Sequence, residues 1–291
     1  MIVTTFLPAA AVAAPPQPTS HDAEIAAFRA RRDDRLRSKS GWLSLVGLSW
    51  LSEGDNPVGS APKSRVLLPS GKAPANLGTI RLENGAVTFV ASPGATVTAG
   101  GKPVTSLALA PDTSGKPTVL SHGSLSFYLI KRGARLGVRV KDSEAAALKE
   151  YKGIPTFPVN PLWRLVARFE PYDPPRKIDV PNVLGSTEAD ESPGAVVFDV
   201  KGETHRLEAV KEDDSGELFL IFGDRTNGVE TYGGGRFLYT APPKDGTVVV
   251  DFNRAINPPC VFTPYATCPL PPKENRLPIR IPAGEKTYGK H

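Results

Sequence analysis

Cysteine, methionine, tryptophan and histidine are scarce: two Cys, one Met, three Trp and four His in 291 residues. With no His between or beside the two cysteines, a structural zinc site lacks ligands at workable spacing. No uninterrupted apolar run approaches the roughly 18 residues a membrane-spanning helix needs. G-x-S-x-G, H-E-x-x-H, the P-loop and the dinucleotide fingerprint are all missing, which removes the usual signatures of serine hydrolases, metallopeptidases and nucleotide enzymes. Ser60-Ala61-Pro62-Lys63 matches S-x-x-K only formally, because Pro62 denies it the helix start that motif needs. Charge of one sign is lacking too. The 35 Lys+Arg against 30 Asp+Glu give a net charge of +5, spread along the chain rather than gathered between aromatics, which argues against nucleic acid. These absences set the expectations: no metal, no cofactor, no nucleic acid, no membrane span, a monomer.

Proline and glycine are plentiful, at 30 and 27 residues. Proline removes a backbone donor and clashes with the preceding turn, so long helices tolerate it badly. Helical bundles and doubly wound α/β folds fit poorly; short strands joined by tight turns fit well. Residues 1–20 are apolar, then Pro-rich. They suggest a truncated export signal ending in Ala11-Val12-Ala13 and a spacer, hence a periplasmic or secreted protein, with a cytoplasmic one as the alternative. Thr19-x-x-Asp22 then reads as a helix start. Ile25, Phe28 and Leu36 would seat that helix on the body, with Arg29, Arg31, Arg32, Arg35 and Arg37 around the rest.

From Gly41 the texture is that of strands. Runs at 65–68, 78–82, 86–90, 96–98 and 124–131 are separated by turn chemistry such as Asn84-Gly85, a strong hairpin signal. Residues 21–140 are therefore expected to hold the helix and a small β-sandwich. Glu53-Gly54-Asp55-Asn56, Gly59-Ser60, Val66-Leu67-Leu68-Pro69 and Gly100-Gly101-Lys102 faintly resemble forkhead-associated domains. No His stands in the matching stretch, so the resemblance implies the shape without phosphothreonine binding. Residues 141–291 read as a meander, with strands expected at 164–169, 195–200, 205–210, 217–222, 236–239 and 247–252. That is an antiparallel β-barrel or sandwich carrying a long irregular Pro-rich loop. A short helix is expected at 145–149.

The information-rich stretch begins at Asp224. Thr231-Tyr232-Gly233-Gly234-Gly235-Arg236-Phe237-Leu238, Asp251-Phe252-Asn253-Arg254-Ala255, Asn257-Pro258-Pro259-Cys260 and Cys268-Pro269-Leu270-Pro271-Pro272 resemble the bacterial domain-of-unknown-function 1684 family. The likeness extends through Gly41–Leu51 and Gly153–Pro158 to roughly residues 22–288. Family members carry Tyr where this chain has Ile256. The family label implies an architecture and candidate residues, and no reaction.

Those residues admit a physical reading of their own. Three glycines allow close backbone approach beside Arg236, whose planar guanidinium suits carboxylate or phosphate. Asp251 and Asn253, two apart on a strand, would face one side, with Asp224 joining them. Either these groups form a polar site, or they are a buried ion-pair network that holds the loop down. Asp224, Asp251, Glu274 and Glu285 are the candidates for general acid and base. Tyr232, Arg236, Asn253, Asn257, Tyr265, Asn275 and Arg276 are the candidates for ligand binding. Cys260 and Cys268 read first as a disulfide, with reduced structural thiols or thiol chemistry as alternatives. His205, at a strand start, reads as a surface residue.

Two functions stay open. One is a metal-independent hydrolase or lyase acting on a small polar or carbohydrate-like substrate. It requires a solvent-filled pocket beside Arg236 and two carboxylates about 5–10 Å apart. The other is a non-catalytic ligand-binding or interaction module of the cell envelope, in which the same residues are buried and paired.

Overall fold

A computed structural model describes residues 20–289. The signal-like segment and nearly all of the expected spacer lie outside the described residues, as do Lys290 and His291. Helix α1 (His21–Arg37) is capped by Ser20, whose Oγ accepts from the Ala23 amide at 3.2 Å, one residue later than the Thr19 reading. Asp22 and Glu24 lie in its first turn and Arg35 and Arg37 in its last, each favourable to the helix dipole.

The amino-terminal half supplies β1 (Leu45–Trp50), β2 (Gly54–Gly59), β3 (Val66–Leu67), β4 (Gly78–Glu83), β5 (Ala86–Ala91), β6 (Thr98–Ala99), β7 (Lys102–Pro103), β8 (Ser106–Ala108), β9 (Val119–His122), β10 (Leu125–Arg132) and β11 (Arg135–Asp142). They form a six-stranded sheet ordered β1-β11-β10-β9-β6-β7 and a five-stranded sheet ordered β3-β2-β4-β5-β8. Val58, Ile80 and Phe89 from the second sheet meet Leu120, Phe127, Val138 and Val140 from the first in one core. This is a β-sandwich, with period-2 alternation sending those residues inward.

After the short helix α2 (Ala146–Glu150), the carboxyl-terminal half supplies β12 (Arg164–Pro181), β13 (Thr187–Val200), β14 (Glu203–Glu208), β15 (Leu218–Phe222), β16 (Arg236–Thr240) and β17 (Thr247–Asp251). A four-stranded sheet ordered β14-β13-β12-β17 faces the two-stranded β15–β16 ladder. The sheet does not close on itself, so the arrangement is a sandwich rather than a barrel. Leu220, Phe222 and Leu238 of the ladder join Val196, Phe198 and Val250 in the main core, together with Phe252, Leu277, Ile281 and Ala283 of the loop segment. Phe219, Ile221 and Phe237 point the opposite way, into a second cluster with Val180, Val210, Ala266 and Cys268. β15 is thus buried on both faces, which explains its unbroken apolar sequence.

Three strands depart from the sequence reading. β12 and β13 run far beyond 164–169 and 195–200, through Pro171, Pro174, Pro175 and Pro193. The prolines are accommodated because the ladder breaks register between Pro171 and Arg176, where no amide donor is required. β2 contains Pro57 and was not expected for the same reason. His205 is 6% exposed against Phe198, not on the surface, because period-2 alternation puts it on the inward face with Leu207.

Candidate functional site

Arg236 opens β16 and is 0% exposed. Its Nη2 donates to Asp224 Oδ1 at 3.1 Å and to the Ile281 carbonyl at 3.0 Å, while Nη1 donates to the Ala283 carbonyl. Asp224 Oδ1 also accepts from Thr226 Oγ1 at 2.7 Å, and Oδ2 from the Ile281 amide at 2.6 Å. Burial pushes the guanidinium pKa down, against the pull of Asp224. No solvent reaches the pair, whose side chains are both 0% exposed. The pair binds the chain end of the loop, residues 281–283, to the ladder. Of the three glycines, Gly235 needs its lack of a side chain: its φ is +88°, and a Cβ would lie 2.4 Å from Pro271 Cγ.

Asp251 and Asn253 do come together, though not on one strand face. Asp251 ends β17, and Asn253 sits in the following 3₁₀ turn. Asp251 Oδ1 accepts from the Asn253 amide at 3.1 Å and from Asn253 Nδ2 at 2.9 Å. Its Oδ2 meets His21 Nε2 at 2.8 Å, tying the first turn of α1 to the sheet. Asn253 clamps the Asn160 backbone through both its amide atoms. Asp224 belongs to a different network. Asn275 is buried and bridges β14 to β15, accepting from the Glu208 amide at 2.7 Å and donating to the Glu208 and Ile221 carbonyls. Glu274 and Arg276 flank it on the surface, Glu274 beside Lys273 at 3.6 Å. Tyr265 is half-buried, its amide donating to Thr263 Oγ1. Of the carboxylates expected to do acid–base work, Asp224, Asp251 and Glu285 are therefore buried and Glu274 is exposed.

Cys260 and Cys268 are free thiols, not the disulfide expected first. They are nevertheless neighbours, with the Cys260 amide donating to Cys268 Sγ at 3.1 Å. Tyr232 packs against this pair, and its hydroxyl bonds the Cys260 sulfur.

An opening lies elsewhere. A cleft of about 900 Å³ runs between α1, the outer face of the six-stranded sheet and the β15–β16 ladder. Trp42, Phe219, Phe237 and Tyr239 give it apolar walls, and Phe219 stacks on Tyr239 with centroids 4.7 Å apart. Five arginines line it against two glutamates, Glu212 and Glu217. Three of the five are neutralised. Arg32 binds Glu285 at 3.1 Å, Arg132 binds Asp112 at 2.8 Å, and Arg254 approaches Asp251 at 3.9 Å. Arg35 and Arg139 pair with no carboxylate among the described residues. Arg139 is 5% exposed. Its Nη2 donates to Thr267 Oγ1 at 2.9 Å, its guanidinium lies over the Trp42 ring at 5.2 Å, and its Nε has no partner. Glu212 sits at the ladder side of the cleft, its pKa raised by burial and only partly offset by the Tyr239 hydroxyl.

Of the residues singled out from sequence, Asn257 and Cys268 line this cleft. Asn257 holds its rim, the backbone carbonyl accepting from Arg32 at 2.9 Å and the amide donating to Glu285 Oε2 at 2.6 Å. Arg139, Trp42 and Tyr239 were missed. Val138 and Val140 face the sandwich core, so alternation assigns Arg139 to solvent. What covers that face is the 263–268 stretch, whose Thr263 Oγ1 donates to the Leu45 carbonyl at 3.1 Å. An arginine between strand valines carries no local sign of such a cover.

A family model described as a protein of unknown function (DUF1684) matches residues 149–286, narrower than the 22–288 the resemblance implied. An uncharacterized protein of Haloarcula marismortui, solved in solution, is 30% identical over 49% of this chain and 80% of its own, with a TM-score of 0.42. An FHA domain studied for phosphothreonine-dependent interactions is 17% identical over 32% of this chain and 92% of that domain, with a TM-score of 0.23. Another FHA domain is 19% identical over 33% of this chain and 95% of its own, at the same TM-score of 0.23. Among curated proteins none matches. Residues 149–286, just under half of the chain, thus match the DUF1684 family.

Proposed function

We propose that this protein is a non-catalytic binding module that holds a small organic anion in the arginine-lined cleft. The ligand class is a carboxylate or phosphate ester with an aromatic or apolar body. The observation that carries the reading is Arg139, a nearly buried guanidinium that lines the cleft with no carboxylate partner among the described residues and a buried Nε that makes no hydrogen bond. Burying a charge without a counter-charge is costly, and an anion entering the cleft offsets that cost through charge-assisted hydrogen bonds. The walls suit the rest of such a molecule, and about 900 Å³ lies within the usual size of small-ligand pockets. Binding is favoured over turnover because the carboxylates expected to do chemistry do not open into this space.

The test uses benzoate, phenyl phosphate and neutral benzamide as probes, read by calorimetry and thermal shift. Both anions are expected to bind and raise the melting temperature, and benzamide is not. Arg139→Gln should weaken anion binding at least about tenfold, roughly 1.4 kcal/mol. The exposed Arg35→Ala variant should weaken it less, without loss of stability. Equal binding of benzamide, or anion affinity unchanged in both variants, overturns the proposal. Hydrolysis of phenyl phosphate would overturn its non-catalytic part.

A further inference from the structure

The thiol pair has an asymmetry that simple packing does not require. Cys268 is buried among Val180, Ile221 and Phe237, whereas Cys260 is partly exposed at the edge of that cluster. Beside the Cys260 sulfur lie the Cys268 thiol and the Tyr232 hydroxyl, while the Cys260 amide donates to Cys268 Sγ at 3.1 Å. Cys268 lies deeper, in apolar packing, with the Cys260 amide as its backbone donor and the Arg139 charge a minor influence. A peroxide reaches the partly exposed sulfur first, the neighbouring Tyr232 hydroxyl favours its thiolate, and the thiolate is the nucleophile. Hydrogen bonding from Cys268, then from Tyr232, lowers the Cys260 pKa to about 7, while the Cys268 pKa is raised.

We infer that Cys260 is a reactive thiol which a peroxide oxidises, and that Cys268 is the resolving thiol held against it. In the first step the Cys260 thiolate attacks one oxygen of hydrogen peroxide. The O–O bond breaks, hydroxide leaves and takes a proton to become water, and Cys260 becomes a sulfenic acid. In the second step the Cys268 sulfur attacks the Cys260 sulfur and the S–O bond breaks. Water leaves with the proton of Cys268, and a disulfide closes the Cys260–Cys268 loop. The two thiols supply two electrons and the peroxide accepts them, so no further reactant is needed. This inference is independent of the anion reading, because Cys260 does not line the cleft, although Cys268 does.

Two measurements decide it. With the wild-type protein, isolated under reducing conditions, iodoacetamide followed by peptide mapping should label Cys260 at least about tenfold faster than Cys268. The Cys260 rate should reach half its maximum near pH 7. Brief hydrogen peroxide treatment should then remove two hydrogens from the intact mass. In Cys268→Ser the same treatment should leave a sulfenic acid on Cys260 that dimedone captures, and Cys260→Ser should form no adduct. Labelling of Cys268 first, or equally fast, overturns the inference. So does a wild-type mass that gains oxygen on Cys260 without losing hydrogens. The labelling arm needs no variant, so a failure of either substitution to fold leaves the inference decidable.

Discussion

Replacing Asp224 with asparagine keeps the shape of a buried side chain, removes its charge and turns one of its two accepting oxygens into a donor. Arg236 would keep its donors to the Ile281 and Ala283 carbonyls and lose its only carboxylate partner. Thr226 Oγ1 and Arg236 Nη2 share Oδ1 while the Ile281 amide uses Oδ2, so an asparagine, with one oxygen, also leaves a buried donor facing its NH2 group, and the loss combines charge with a hydrogen bond. Leaving one charge of a fully buried pair uncompensated costs about 3–5 kcal/mol. Against a total stability of about 5–15 kcal/mol, that is a large share. At roughly 2–4 °C per kcal/mol, the melting temperature should fall by roughly 6–20 °C. The assay is urea unfolding of Asp224→Asn, Arg236→Met and the double variant, with the midpoint and slope fitted separately. The double variant should be less destabilised than the two single losses added, with a coupling of at least about 1 kcal/mol. A loss below about 1 kcal/mol for Asp224→Asn, or additive behaviour, would refute the account of Arg236 as a charge held by Asp224.

Two further outcomes follow from the geometry. Gly233→Ala should be tolerated, since a Cβ there meets nothing nearer than 3.8 Å, whereas Gly235→Ala should cost more than about 1 kcal/mol through its positive φ and the Pro271 contact; equal midpoints in urea would contradict this. Glu212 is exposed along its side chain, yet the crowding that strips water from its carboxyl raises its folded pKa, so the folded state binds more protons than the unfolded one above the ordinary carboxylate value of about 4.3. Its contribution therefore falls as pH rises from there through the raised value. Glu212→Gln should stabilise the protein at pH 7 and leave it unchanged near pH 3.5, and denaturation curves at the two pH values check the sign.

The β class and most strand positions were legible because turn chemistry punctuates this sequence so often. The long β12–β13 hairpin was not, because its prolines sit at a register break that only pairing reveals. Arg236 was identifiable as a special residue from the glycines before it, and its burial against Asp224 was one of two readings the residues allowed. Arg139 is the reverse case. Its neighbours Val138 and Val140 mark an ordinary half-exposed strand, and the cover that buries it comes from Thr267, 128 positions away. His21 likewise found Asp251 at a separation of 230, which no local pattern announces. Long-range polar partners were invisible; local periodicity was not.

The seating of α1 has a temporal consequence. Arg32, near the middle of the helix, is secured by Glu285 and by the Asn257 carbonyl, at sequence separations of 253 and 225. At synthesis rates of about 5–20 residues per second, the helix waits on the order of 10–50 s for its seat to be made. During that interval its cluster of arginines, and the apolar stripe of Ile25 and Leu36, have nowhere native to go. The amino-terminal sandwich has its own hydrophobic cluster and can condense meanwhile. The first described element of the chain is thus among the last to reach its place.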